Sequence, residues 1–142
     1  MTDKVFLDTN VLVYAYDQQD PAKQAQAQGL LAKGMEGEFA VLSVQVLGEF
    51  FNVVTRRIPT PLSVEAVLEV IDLISILPVV EIDLAMVKRA IDTHKHYGIT
   101  YWDSLIVAAA ERAGCKKILS EDLNDGQSYH GVVVDNPFVN IS

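Results

Sequence analysis

The feature that most constrains this chain is the alternation of short apolar runs with longer stretches of helical periodicity. The apolar runs fall at 4–7, 39–43 ("FAVLS"), 79–82 ("VVEI"), 117–120 ("KILS") and 132–134 ("VVV"). None is long enough for a buried helix, and each is flanked by helical or turn signals. Such runs read as strands buried on both faces. Helices inserted between successive strands make the neighbours parallel. The expected fold class is therefore α/β, with a small, mostly parallel central sheet and helices on both of its faces.

The helical stretches have recognisable ends. Residues 9–16 form a short one. A second runs from Pro21, which suits a first helical turn, to Gly34, which suits a stop. Others span 43–57, 63–77 (opening on Ser63), 83–97 (closed by Gly98) and 101–113 (closed by Gly114). A turn, "EDLNDG", follows the fourth apolar run. No repeat or linker interrupts the sequence, and 142 residues predict one domain over 1–142. The lone cysteine, Cys115, has no disulfide partner and fits a reducing compartment. No leader pattern opens the chain and no apolar stretch is long enough to span a bilayer, so a soluble cytoplasmic protein without a membrane partner is expected.

Against this frame the acids stand out. Asp8 ends the first apolar run, Asp122 follows "KILS" by two residues, and Asp103 lies in the first turn of "YWDSLIVAAAERAG". Ligands of open α/β sheets sit outside the carboxyl ends of the strands, where these residues belong. Glu49 joins them through a helix. Val46, Leu47, Phe50, Phe51 and Val54 make an apolar stripe, and Gln45, Glu49, Asn52 and Arg56 fall on one flank of it. Each acid also has an ordinary role open to it. Asp8 can cap a helix, Asp103 can complete a capping box with Thr100, Asp122 can shape a turn, and Glu49 can sit on a solvated face. Four recurrences at one sheet edge favour a shared site.

Convergence of four carboxylates requires a cation. Two like charges about 4 Å apart repel by about 4 kcal/mol at an effective dielectric near 20. An all-oxygen donor set selects Mg²⁺ or Mn²⁺ over Zn²⁺. An acidic Mg²⁺ site without a protein nucleophile points to phosphodiester hydrolysis. The net charge of −8 argues against binding nucleic acid through bulk charge, and suits a protein that collects cations or one with a basic partner.

Four segments, "FLDTNVLVYAYD", "VLGEFFNVVTRR", "YWDSLIVAAAERAG" and "ILSEDLNDGQ…GVVVDNPF", resemble the motifs of PIN-domain ribonucleases. The resemblance is greatest to the VapC-type toxins of prokaryotic toxin–antitoxin pairs, and it runs from residue 4 to about 138. It implies an α/β/α sandwich, Mg²⁺- or Mn²⁺-dependent endoribonuclease activity on an RNA substrate, inhibition by a cognate antitoxin, and a homodimer. The acidic ligands it implies are Asp8, Glu49, Asp103 and Asp122. Thr9 and Asn10 match the polar pair that orients the first acid, Ser120 the hydroxyl residue before the last, and Asn52 a polar residue near Glu49. Many relatives carry a further acid where this chain has Asn124, with Asp125 next to it, so the resemblance fixes no number of metal ions.

RNA must still reach a negative protein. Among the basic pairs, Arg56 is the expected RNA contact because it shares the flank of Glu49. Tyr14, Tyr16 and Trp102 are expected in core or dimer packing, although each has a face on which a base can stack. His94 and His96 do not share a helix face, and His130 is expected at the surface. Ser104 has no supporting base for a nucleophilic role. Two alternatives remain: a catalytically silent PIN-like binding module, and a phosphoryl-accepting α/β domain, which lacks here the second Asp after the first acid.

Overall fold

The computed structural model describes residues 3–139 and 141. Among these, six helices and a six-stranded sheet follow the anticipated alternation. Strand β1 (Val5–Leu7) leads through α1 (Thr9–Tyr16) and α2 (Pro21–Glu36) to β2 (Ala40–Ser43). Helices α3 (Val44–Arg56) and α4 (Val64–Ile74) precede β3 (Val79–Val80). Helices α5 (Leu84–Tyr97) and α6 (Tyr101–Arg112) precede β4 (Lys117–Leu119), and β5 (Ser128–Tyr129) and β6 (Val132–Asp135) close the chain.

The strand order is β3-β2-β1-β4-β6-β5, parallel except for the antiparallel pairing of β5 with β6. Side chains alternate across a sheet. Successive residues Phe6 and Leu7, Ala40 to Ser43, and Ile118 and Leu119 are nonetheless all buried, so both faces of the sheet are covered. The chain builds outward from β1 to β3 on one side, then returns to place β4 on the other side of β1. The direction of strand order thus reverses between β1 and β4, where open α/β sheets form their crevice.

Each of the six helices opens on a side-chain oxygen. Asp20, Ser43, Ser63, Asp83 and Thr100 each accept the backbone N–H three residues on, the usual satisfaction of an exposed helix start. Gly98 closes α5 in the left-handed region (φ +74°), which favours glycine.

The structure differs from expectation at several elements. Helix α2 passes through Gly34 and stops at Gly37, and α4 ends at Ile74. Gly34 is a close-approach residue, not a terminator. A Cβ there would lie 2.6 Å from the Cβ of Ala40 on β2, so its absence lets the helix lie against the sheet. Strand β3 is two residues long, and β5 has no apolar run to announce it. His130, at φ +53°, is half-buried, with Nε2 2.9 Å from Thr93 Oγ1. The two glycines of α2 permit a paired test. A Cβ at Gly29 would meet nothing within 4 Å. Chemical denaturation of Gly29→Ala is expected to show a gain of up to about 1 kcal/mol. Gly34→Ala should lose about 1–3 kcal/mol to overpacking, despite the same gain in propensity. Equal effects at both positions would contradict the close-approach role.

Candidate active site

Asp8 follows β1 directly. Its N–H continues the sheet ladder by donating to Leu119 O at 3.0 Å, which fixes it against the end of β4. It also caps α1, but unlike the other five caps. Its Oδ1 accepts Thr9 N–H at 2.8 Å, while the third N–H of the helix, that of Val11, goes to the Asp8 carbonyl. This turns Oδ2 toward β4, where it accepts the Ser120 hydroxyl at 2.7 Å.

Ser120 is fully buried and joins two of the acids. Its Oγ donates to Asp8 and accepts Asp122 N–H at 3.1 Å and Leu123 N–H at 3.3 Å. Asn10 crosses the same gap. Its Nδ2 donates to Asp122 Oδ2 at 3.2 Å and its Oδ1 accepts Glu121 N–H at 3.1 Å. Thr9 reaches the other way, donating from Oγ1 to Glu49 Oε1 at 3.1 Å. Residues 8–10 therefore contact the elements that carry two further acids. Asp103 stands in the first turn of α6, where a negative charge is favoured.

Asp8, Glu49, Asp103 and Asp122 all line one cleft of about 420 Å³. Among the described residues none of the four takes part in a salt bridge. Their fields overlap. Burial pushes the Asp8 carboxyl up from its ordinary 3.8 to about 6, against the hydrogen bonds from Ser120 and Thr9, and the charges of Asp122 and Glu49 add to the rise. Burial likewise raises Glu49 and Asp103, with help from neighbouring carboxylates. Among the described residues no three His, Cys, Asp or Glu side chains are grouped closely enough to hold an ion by themselves. The donor set still suits a hard divalent cation of the Mg²⁺ kind, which keeps several waters and commonly takes only one or two carboxylates.

The rest of the lining corrects the helical projection. The wall contributed by α3 is the i, i+4 row Gln45, Glu49, Val53, continued by Arg57 just past the helix end. Among the described residues Arg57 is the only basic one in the lining. Asn52 and Arg56 are exposed and lie outside the cleft. Asn124 lies in a second depression shared with Asp103, Asp122 and Tyr129. Asp125 accepts Asn136 N–H at 2.9 Å and is outside both depressions.

Tyr14, Trp102 and Glu121 also line the cleft, and the sequence did not single out Glu121. Tyr14 donates to Glu121 Oε1 at 2.5 Å, and Lys23 Nζ of α2 lies 2.6 Å from Glu121 Oε2. Trp102 is 62% exposed and belongs to no core. Tyr16 does pack inside, edge-on to Phe50. Ser104 is not a competent nucleophile, being buried and donating to Thr100 O, and burial pushes the Cys115 thiol up to about 11.

The raised Asp8 carboxyl has a thermodynamic sign. Below the unfolded value near 3.8 the group is protonated in both states and carries no penalty. As pH rises through about 6, the folded state acquires a charge that the unfolded chain solvates freely, at a cost of about 3 kcal/mol. In metal-free buffer Asp8→Asn should therefore melt several degrees higher than the parent at about pH 7.5, with the gap closing toward about pH 4. A variant no more stable than the parent at the higher pH would refute this account of Asp8.

Comparison with known proteins identifies the fold and the family. The family model for the PIN domain matches residues 5–124. No curated protein matches the chain by sequence. Solved structures do resemble it. The VapC20 toxin of Mycobacterium tuberculosis, described as cleaving the sarcin–ricin loop, is 19% identical with a TM-score of 0.65, over 84% of this chain and 90% of that one. A chain of the DNA-bound VapBC of Salmonella typhimurium is 16% identical with a TM-score of 0.66, over 96% and 99%. A chain of a toxin–antitoxin complex from Klebsiella pneumoniae is 15% identical with a TM-score of 0.68, over 95% and 98%. At these identities the likeness is one of fold. The family match covers most of the chain, the fold agrees, and the chain belongs to the PIN-domain family.

Proposed function

We propose that the protein is a Mg²⁺-dependent endoribonuclease of the VapC toxin type, built as one domain and held in check by a cognate antitoxin. The observation that carries this reading is the convergence of Asp8, Glu49, Asp103 and Asp122 on one cleft at the β1/β4 switch point, with no ion pair to neutralise them among the described residues. Side chains that repel one another at a sheet edge are retained where a cation and a phosphate complete them.

A bound Mg²⁺ or Mn²⁺ would supply water activation and neutralisation of charge on the phosphoryl oxygens. The four acids are its proposed ligands, one or two binding directly and the others through its waters. Ser120, Asn10 and Thr9 hold Asp8, Asp122 and Glu49 by direct hydrogen bonds. Arg57 is the proposed phosphate contact in place of Arg56. Neither Asn52 nor Asn124 bonds to an acid of the set among the described residues. No helix is long and apolar enough to cross a membrane, and the cytoplasm is the proposed compartment. Two of the structures it resembles are toxin–antitoxin assemblies, which supports an antitoxin as partner. Exposed Leu68, Leu73 and Ile76 on and after α4 offer apolar surface for that partner or for a second copy.

The spacing of the acids favours one alternative, a silent PIN-like binding module, because no three among the described residues form a ready-made cage. Cleavage of a mixed pool of structured and unstructured RNA separates the two. The nuclease reading expects cutting with Mg²⁺ or Mn²⁺, none with chelator, and a loss of about 100-fold or more in Asp103→Asn. Metal-independent cutting, or equal cutting by Asp103→Asn, would remove these acids from the reaction.

A further inference from the structure

Trp102 is the only tryptophan in the chain and immediately precedes Asp103. It lines the acidic cleft, yet 62% of it is exposed. A tryptophan in a core would contribute a large apolar area to stability, and this one contributes little. Its position is nonetheless fixed. The residue sits in the first turn of α6, the Tyr101 ring packs against it edge-on at 5.0 Å, and Gln45 Nε2 donates to its carbonyl at 3.1 Å. The other end of that Gln45 amide is unusual. Gln45 Oε1 is buried without a hydrogen-bond partner among the described residues. The backbone of Trp102 is thus tied to α3 while its indole stands open at the mouth of the acidic cleft, next to Asp103.

We infer that Trp102 is a specificity-determining residue that stacks an unpaired nucleobase next to the phosphate bound in the acidic cleft. The inference rests on the ribonuclease reading above. The cleft supplies complementary chemistry for one nucleotide. Arg57, the basic residue of its lining, suits the phosphate, and the indole suits the base. Bases in an RNA duplex are stacked on one another, and only an unpaired one can be splayed onto a side chain.

Because the chain has one tryptophan, its emission reports this contact directly. The test uses Asp8→Asn with Mg²⁺, so that RNA is bound without being cut. An end-labelled oligoribonucleotide of roughly twelve nucleotides is added, single-stranded or as a duplex, with anisotropy measuring binding. Saturable quenching by the single strand and not by the duplex is expected. In the same background, Trp102→Ala should bind the single strand about tenfold more weakly, and Trp102→Phe should recover part of that loss. RNA that binds by anisotropy while the emission stays unchanged overturns the stacking role and leaves the ribonuclease reading intact. Equal quenching by duplex overturns it as well, as does quenching by an arginine-rich peptide but not by bound RNA. No RNA binding at all, by this variant or by the parent protein with Mg²⁺, overturns both.

Discussion

One hydroxyl group organises this site. Ser120 bridges the ends of β1 and β4, donating to Asp8 while accepting from the backbone that carries Asp122. Without it the Asp8 carboxylate would keep a single donor from Thr9 in a setting that is 5% exposed. A buried charge with so little support is costly. The arrangement also sets geometry. A serine side chain is short, so the acid after β1 and the loop after β4 are held a fixed small distance apart. Thr9 and Asn10 then extend the same lattice to Glu49 and Asp122, which makes three consecutive residues the common anchor of elements far apart in sequence.

The rest of the chain offsets what the site gives up. The five ordinary helix caps, the sheet buried on both faces and the ion pairs remote from the cleft, such as Arg89 with Glu111 and Arg112 with Asp83, all agree with local propensity. The departures gather at the cleft: an atypical cap, carboxylates raised by burial, an orphaned amide oxygen and an exposed indole. Several local rules broken together around one cleft are the physical mark of a site maintained for use.

Much of this was legible in the sequence because it depends on local chemistry. Short apolar runs between helices gave the parallel sheet, Ser63 gave a helix start, and acids after strands gave the cleft. What was missed depends on contacts that no periodicity encodes. Gly34 looked like a terminator because its role is to let Ala40 approach from a distant strand. Strand β5 is recruited by pairing with β6, not by its own composition. Periodicity puts Asn52 and Arg56 on the flank of Glu49, whereas the cleft follows the i, i+4 row to Arg57. The two rows lie side by side on a helix, and only the neighbouring elements decide which one faces the gap. Nothing local marks Glu121, because its partners, Tyr14 and Lys23, lie about a hundred residues earlier.

The sheet ends at both sides in a strand of two residues, β3 at one margin and β5 at the other. Long strand margins expose rows of unpaired amides that recruit foreign chains and seed aggregation. Here the longer strands are all interior, and each margin is too brief to template another chain. The protein thus carries an open, charged crevice on a sheet whose borders offer little backbone for strand addition.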